Sequence, residues 1–277
     1  MTITNLADRS NVLRQAVALR ALAVVGLVAA WFFAAALTAN SGVRNPDNVF
    51  PGPLATLLAF PEFAQFGTSG EGPFAVLAQN TAISAGRLAL GLFIGVGSGF
   101  GIGLAISYSR FVRGIAEPPL LMIRTIPIFA LIPLFLTWFG GSNIGIVAFI
   151  AFAVFSMVIV NTAESVRNVP DVLLDYGATM GAPKLTAYRT IVVPAIVPEL
   201  VGAGRVVIGV AWSVLLAGEF LAAQTGIGHV LIQARQFNNI RLMILVVALL
   251  AIYTWAMDAG FGAFARRATS WQPSTGN

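Results

Sequence analysis

Six stretches of this chain are nearly free of charge and close to the length that crosses a lipid bilayer: residues 17–39, 77–106, 118–139, 144–163, 200–222 and 242–264. Backbone N–H and C=O groups find no water in hydrocarbon, so a spanning segment must satisfy them internally. A helix does so, and about 20 apolar residues suffice. An all-α integral membrane fold of six helices follows, with both termini on one side. Composition agrees, since 57% of the 277 residues are hydrophobic and 10% charged. A soluble domain carries about 25% charged residues.

The first stretch follows Arg9, Arg14 and Arg20 and contains Ala34-Ala35-Ala36, features shared with a cleaved secretory leader. Five later spans favour an uncleaved helix. Residues 40–76 are polar and turn-rich, with Pro51-Gly52-Pro53 and Gly70-Glu71-Gly72-Pro73, and leave room for a short interfacial helix near Leu54–Phe60. The organisation expected is one membrane domain over residues 1–277. Within it lie a first helix in 1–40, an extracytoplasmic segment at 41–76, and a five-helix core at 77–267 that carries cytoplasmic helices at 168–191.

Positive charge orients the chain. With the N-terminus inside, inner segments hold ten cations: Arg9, Arg14, Arg20, Arg110, Arg113, Arg167, Lys184, Arg189, Arg266 and Arg267. Outer segments keep three, Arg44, Arg235 and Arg241. Cytoplasmic loops carry the Lys/Arg excess, so both ends are expected in the cytoplasm. The net charge of +5 forms no basic stripe, and no nucleic-acid partner is expected. With no cysteine and a single histidine, His229, the chain offers no catalytic thiol and no histidine-rich metal site. No catalytic residue is expected.

Gly91, Gly95, Gly99 and Gly103 recur every four residues in the second span, placing small residues on one face where another helix can approach closely. Gly97 and Gly101 would widen that stripe. In the third span Arg124 precedes Pro127 and Pro133, and each proline removes a donor and clashes with the preceding turn. Broken backbone at membrane depth is tolerated where protein buries it or where it lines a polar cavity. Arg124 therefore either faces a translocation path, snorkels, or braces the break. Arg205, Trp212 and Glu219 in the fifth span are seven residues apart and share a face. Arg205 and Glu219 are about 21 Å apart along the axis, too far to pair within one helix.

The segment from Asn161 to Pro198 reads as two short helices outside the membrane. Asn168 is a candidate cap, with Pro170 and Asp171 in the first turn. Val172, Leu173, Tyr176 and Met180 then form an apolar face, and Gly181 suits a left-handed C-cap. A second helix runs from Pro183 to about Ile191, ahead of Pro194. An exposed apolar face of this kind needs a partner.

The run from Asn161 to Lys184, leading to Val192-Val-Pro194-Ala-Ile-Val-Pro198, resembles the cytoplasmic E-A-A…G signature of ABC importer permeases. Asp175-Tyr176-Gly177 stand where Glu-Ala-Ala is usual, whereas Gly181 and Pro194 agree. Val49-Phe-Pro-Gly-Pro53, Arg124 to Pro133 continuing to Gly140, and Gly218-Glu-Phe-Leu with Gly226-Ile-Gly228 resemble the nitrate/sulfonate/taurine branch. The resemblance implies a type I importer transmembrane domain working by alternating access, with Asp171, Val172, Leu173, Asp175, Tyr176, Gly177, Met180 and Gly181 coupling it to an ATPase. It further implies a second copy of this chain, two ATP-binding-cassette subunits and an extracytoplasmic solute-binding protein, besides membrane lipid. No cofactor is expected on this chain, since it has no G-x-x-x-x-G-K-[ST] loop; ATP and Mg are expected in the partner. Arg124, Pro127, Pro133, Arg205, Trp212 and Glu219 are the translocation-pathway candidates. Among substrates, a small organic or inorganic anion such as a sulfonate, taurine or nitrate is expected, with a neutral heterocycle or vitamin precursor as alternative. An ion-coupled secondary transporter would be expected to show repeats and mid-membrane acids, and neither is evident.

Overall fold

The computed structural model describes residues 4–42, 45–67 and 70–269; within these, the side chains of residues 4–17, 20, 110, 121 and 124 lie outside the described set. The helices in order are α1 (Thr4–Ala39), α2 (Pro53–Leu58), α3 (Pro73–Tyr108), α4 (Arg110–Thr125), α5 (Ile132–Phe139) and α6 (Asn143–Arg167). There follow α7 (Asp171–Thr179), α8 (Lys184–Ala187), α9 (Val193–Ala222), α10 (Ile227–Gln236) and α11 (Ile240–Ala268). The chain forms two compact units, Met1–Val76 with Gln233–Ala248, and Leu77–Ile232 with Leu249–Asn277.

In the first unit the polar segment after α1 is folded back and held. Trp31 Nε1 donates to the Pro51 carbonyl at 3.0 Å, and Gly52 faces Ala35 on α1. Phe63 is fully buried, and Phe60 packs tilted on both Phe63 and Phe74. Glu62 pairs with Arg241 at 3.2 Å and accepts from Asn239 Nδ2. Asn239 in turn caps α11, its Oδ1 accepting from the Leu242 N–H.

In the second unit α6 and α9 carry most of the buried apolar side chains, including Ile150, Val154 and Ile159 on α6 and Ile196, Ala211 and Leu215 on α9. The glycine stripe of α3 faces α6. A β-carbon on Gly91 would lie 2.5 Å from Ile150, on Gly95 2.6 Å from Val154, on Gly99 2.9 Å from Val158, and on Gly103 2.8 Å from Thr162. Both rows advance by four residues, so one ridge of α6 fills one groove of α3. Gly97 and Gly101 have open space where a β-carbon would stand and do not widen the contact.

Several expectations are corrected. Five uninterrupted helices among the described residues are long and apolar enough to span, where six were expected. The sixth stretch, 118–139, is present but broken. Pro127 forces Ile126 out of helical geometry to ψ 123°, ending α4 at Thr125, and a 3₁₀ turn at Ile128–Leu131 precedes the eight-residue α5. Asn168 does not cap α7. It closes α6, its N–H donating to the Glu164 carbonyl at 3.1 Å, because Pro170 keeps Val169 from continuing the helix. The α7 N-cap position is Pro170 itself. Nor does a separate second helix stop before Pro194: α8, a π-helical turn at Tyr188–Val192 and α9 run on continuously. Pro194 has no N–H for the Thr190 carbonyl, and a widened turn relieves the clash of its ring.

Candidate functional site

Two places in the second unit gather candidate side chains. The first is α7 and the turn after it. Gly181 has φ +71°, its N–H donates to Ala178 O at 2.9 Å, and the Ala182 N–H reaches back to Gly177 O at 3.0 Å. These two bonds make a Schellman stop, which needs a left-handed residue after the helix. Gly177 is buried, since a β-carbon there would sit 2.8 Å from Ile191 Cδ1. One face of α7 is thus pinned to the π-helical turn. The other points outward, with Val172 68%, Tyr176 68% and Met180 73% exposed at four-residue spacing. Leu173 is less exposed, and Asp171 and Asp175 are exposed at the helix start and middle.

The second place is a buried polar network. Arg87 on α3 is 4% exposed and Glu219 near the end of α9 is wholly buried; Arg87 Nη1 donates to Glu219 Oε1 at 2.6 Å. A charge within a membrane helix must find a partner. Glu219 also meets Ser84 Oγ at 2.8 and 2.9 Å and the Gly228 N–H at 2.9 Å. The far side of the guanidinium donates to Asn143 Oδ1 from Nε (2.9 Å) and Nη2 (2.6 Å), and to Thr225 Oγ1 from Nη2 (2.9 Å). Asn80 Oδ1 accepts from Gly226 N and Ser84 Oγ from Ile227 N, at 2.7 and 2.9 Å. One salt bridge therefore ties α3, the start of α6, the end of α9 and the turn into α10.

That geometry explains the two glycines after α9. Gly226 has φ +109°, and a β-carbon on it would overlap Glu219 Oε1 and lie 2.7 Å from Arg87 Nη1. On Gly228 it would lie 2.6 Å from Glu219 Cβ. Only hydrogen fits at either position.

The expected pathway residues do not converge. Arg205 is exposed and pairs with Asp258 at 3.4 Å. Trp212 is buried, with Nε1 3.2 Å from Met257 Sδ. Glu219 is sealed into the network above. Pro127 precedes the 3₁₀ turn and Pro133 sits in the first turn of α5, while the Arg124 side chain lies outside the described residues. Arg87 is not singled out by the sequence reading. Its signal is a cation far inside an apolar helix, and the acid opposite in sign is 132 residues away.

Residues 97–270 match the family described as binding-protein-dependent transport system inner membrane component. The chain is 32% identical to the taurine transport system permease protein TauC of Escherichia coli K12 over 71% of this chain and 72% of that protein. It is 27% identical to the putative aliphatic sulfonates transport permease protein SsuC of the same organism, over 90% of each. Among solved structures, the MetNI methionine ABC transporter aligns at TM-score 0.60 and 18% identity, over 70% of this chain and 96% of that one. An amino acid ABC transporter aligns at TM-score 0.60 and 15% identity, over 76% of this chain and 97% of that one. The fold is that of type I ABC importer permeases, and the chain is a multi-pass inner-membrane protein without enzymatic activity of its own. An importer of this kind works with an ATPase and a binding protein. The chain belongs to the inner-membrane components of binding-protein-dependent transport systems and is the membrane-spanning permease subunit of an ATP-driven importer.

Proposed function

We propose that this permease imports a small organic sulfonate, taurine or an alkanesulfonate, by alternating access. The observation that carries the substrate class is the 32% identity to a taurine permease over most of both chains. In this reading two copies of the chain enclose the path, both termini are cytoplasmic, and two ATPase subunits bind ATP and Mg below. The solute-binding protein delivers substrate from outside. Asp171 to Gly181 form the coupling element, supported by a rigidly stopped helix whose outward face is apolar. ATP shifts the permease between its states only through a difference in affinity for them, so the contact through which it acts must move with the spans.

The test is ATP-driven uptake by proteoliposomes holding the chain with its ATPase and binding-protein partners. Labelled taurine or an alkanesulfonate should accumulate, and a neutral heterocycle should neither accumulate nor compete. Uptake of the heterocycle without the sulfonates would overturn the assignment.

A further inference from the structure

Where α4 gives way to the 3₁₀ turn before α5, a cavity of about 300 Å³ opens between that break and the flanks of α6 and α9. Ile126 and Ile128 line it from the break, Ser156, Met157 and Asn161 from α6, and Val210 from α9. Two independent observations mark it as a polar path. The first is the break. Non-helical backbone at membrane depth persists only where protein buries it or where it lines a water-filled cavity. Ile126 is exposed, so protein does not bury this one.

The second is Asn161, which sits about 9 Å inside the end of α6 at Arg167, next to Ile159 and Val160. Its side-chain amide has no partner among the described residues, and it is half-buried and open to the cavity. An amide left bare in hydrocarbon is costly, so a polar side chain within a span faces a partner or water. Asn161 also borders a second cavity of about 360 Å³, but every other residue lining that one is apolar. An oxyanion stripped of water would find no donor there. At the break, Ser156 adds a second polar group, its Oγ donating to the Ala153 carbonyl at 2.8 Å and keeping room to accept. A charged solute therefore passes on the side of the break.

We propose that this cavity is a transit site for the imported anion and that Asn161 is its specificity-determining residue, with Nδ2 donating to a sulfonate oxygen. The inference rests on the sulfonate import proposed above. Among the described residues no charged side chain lines the cavity. A neutral donor holds an anion loosely, and passage needs a site that admits a solute yet releases it.

The chain has no cysteine, so the cavity can be probed with a single thiol. Met157→Cys, one turn from Asn161 in the same cavity, is placed in the full-length chain with its ATPase subunits in nanodiscs. It is labelled with two methanethiosulfonate reagents, one bearing an ethylsulfonate and one an ethyltrimethylammonium, each rate taken relative to a free thiol. The sulfonate reagent should label, and millimolar ethanesulfonate should slow it. Adding Asn161→Asp should slow the sulfonate reagent at least about tenfold through repulsion between like charges, without slowing the cationic one. Adding Asn161→Leu should abolish protection by ethanesulfonate. Each variant is accepted on a wild-type elution profile, and Asn161→Leu alone carries the test should Asn161→Asp fail to fold. No labelling by the sulfonate reagent, or labelling and protection indifferent to the side chain at 161, overturns the proposal. Uptake is not read, so failure here is separate from failure of the sulfonate assignment, which uptake decides.

Discussion

The backbone N–H of Gly228 donates to Glu219 Oε2 at 2.9 Å, so a carboxylate on the last turns of α9 is held by the first turn of the helix after it. Removing one member of such a buried pair leaves the other uncompensated. Glu219→Gln or Arg87→Gln should each cost about 3–5 kcal/mol, read as a lower thermal transition of the purified protein. The double variant should recover part of that loss, since neither charge remains. Full stability in both single variants would remove the network from any account of this fold.

The α3–α6 contact makes a paired prediction. Gly95→Leu must drive a side chain into Val154 and the Ala151 carbonyl, at about 1–3 kcal/mol or more. Gly97→Leu, two residues on, enters open space and should leave stability unchanged within about 0.5 kcal/mol. Equal effects of the two would refute the packing described.

Gly181 has nothing within 4 Å of where its β-carbon would be, so the cost of a substitution there is backbone strain alone. Gly181→Val should cost about 1–3 kcal/mol locally, and Gly181→Asn less. The protein should insert normally while transport and substrate-stimulated ATPase activity fall together. A fully assembled Gly181→Val complex with both activities intact would dismiss the coupling role.

The exposed face of α7 can be altered without disturbing the fold. Val172→Glu or Met180→Glu should shift the thermal transition little, because surface changes stay within about 0.5 kcal/mol. Co-purification of the ATPase subunit should nevertheless be lost. Retained ATPase would place its docking surface elsewhere.

Membrane orientation can be read directly, because the chain has no cysteine. Gln65→Cys should label only from outside and Thr186→Cys only from the cytoplasm. The reverse pattern would invert the orientation.

Much of this was legible in the residues. The four-residue recurrence of Gly91 to Gly103 and the positive φ of Gly181 are local patterns whose structural cause repeats wherever they occur. What escaped the reading depends on contacts distant in sequence or on competition between neighbours. Asn168 has the chemistry of an N-cap, yet Val169 before Pro170 decides where α6 stops. Pro194 is a stop signal by propensity, but the π-helical turn before it absorbs the missing donor. The partner of Glu219 lay on α3 in Arg87, and nothing in the span of α9 could name it. Arg205 shares the seven-residue spacing with Glu219 but finds Asp258 on α11 instead.

The meshed backbones of α3 and α6 have a mechanical consequence. With Ile150, Val154, Val158 and Thr162 seated against four glycines, sliding one helix by a residue would ram a branched side chain into bare backbone. The pair is therefore a stiff plank, and an alternating-access cycle cannot draw its motion from that seam. Compliance must come from where helical hydrogen bonding is interrupted, and residues 126–131 between α4 and α5 are such a place.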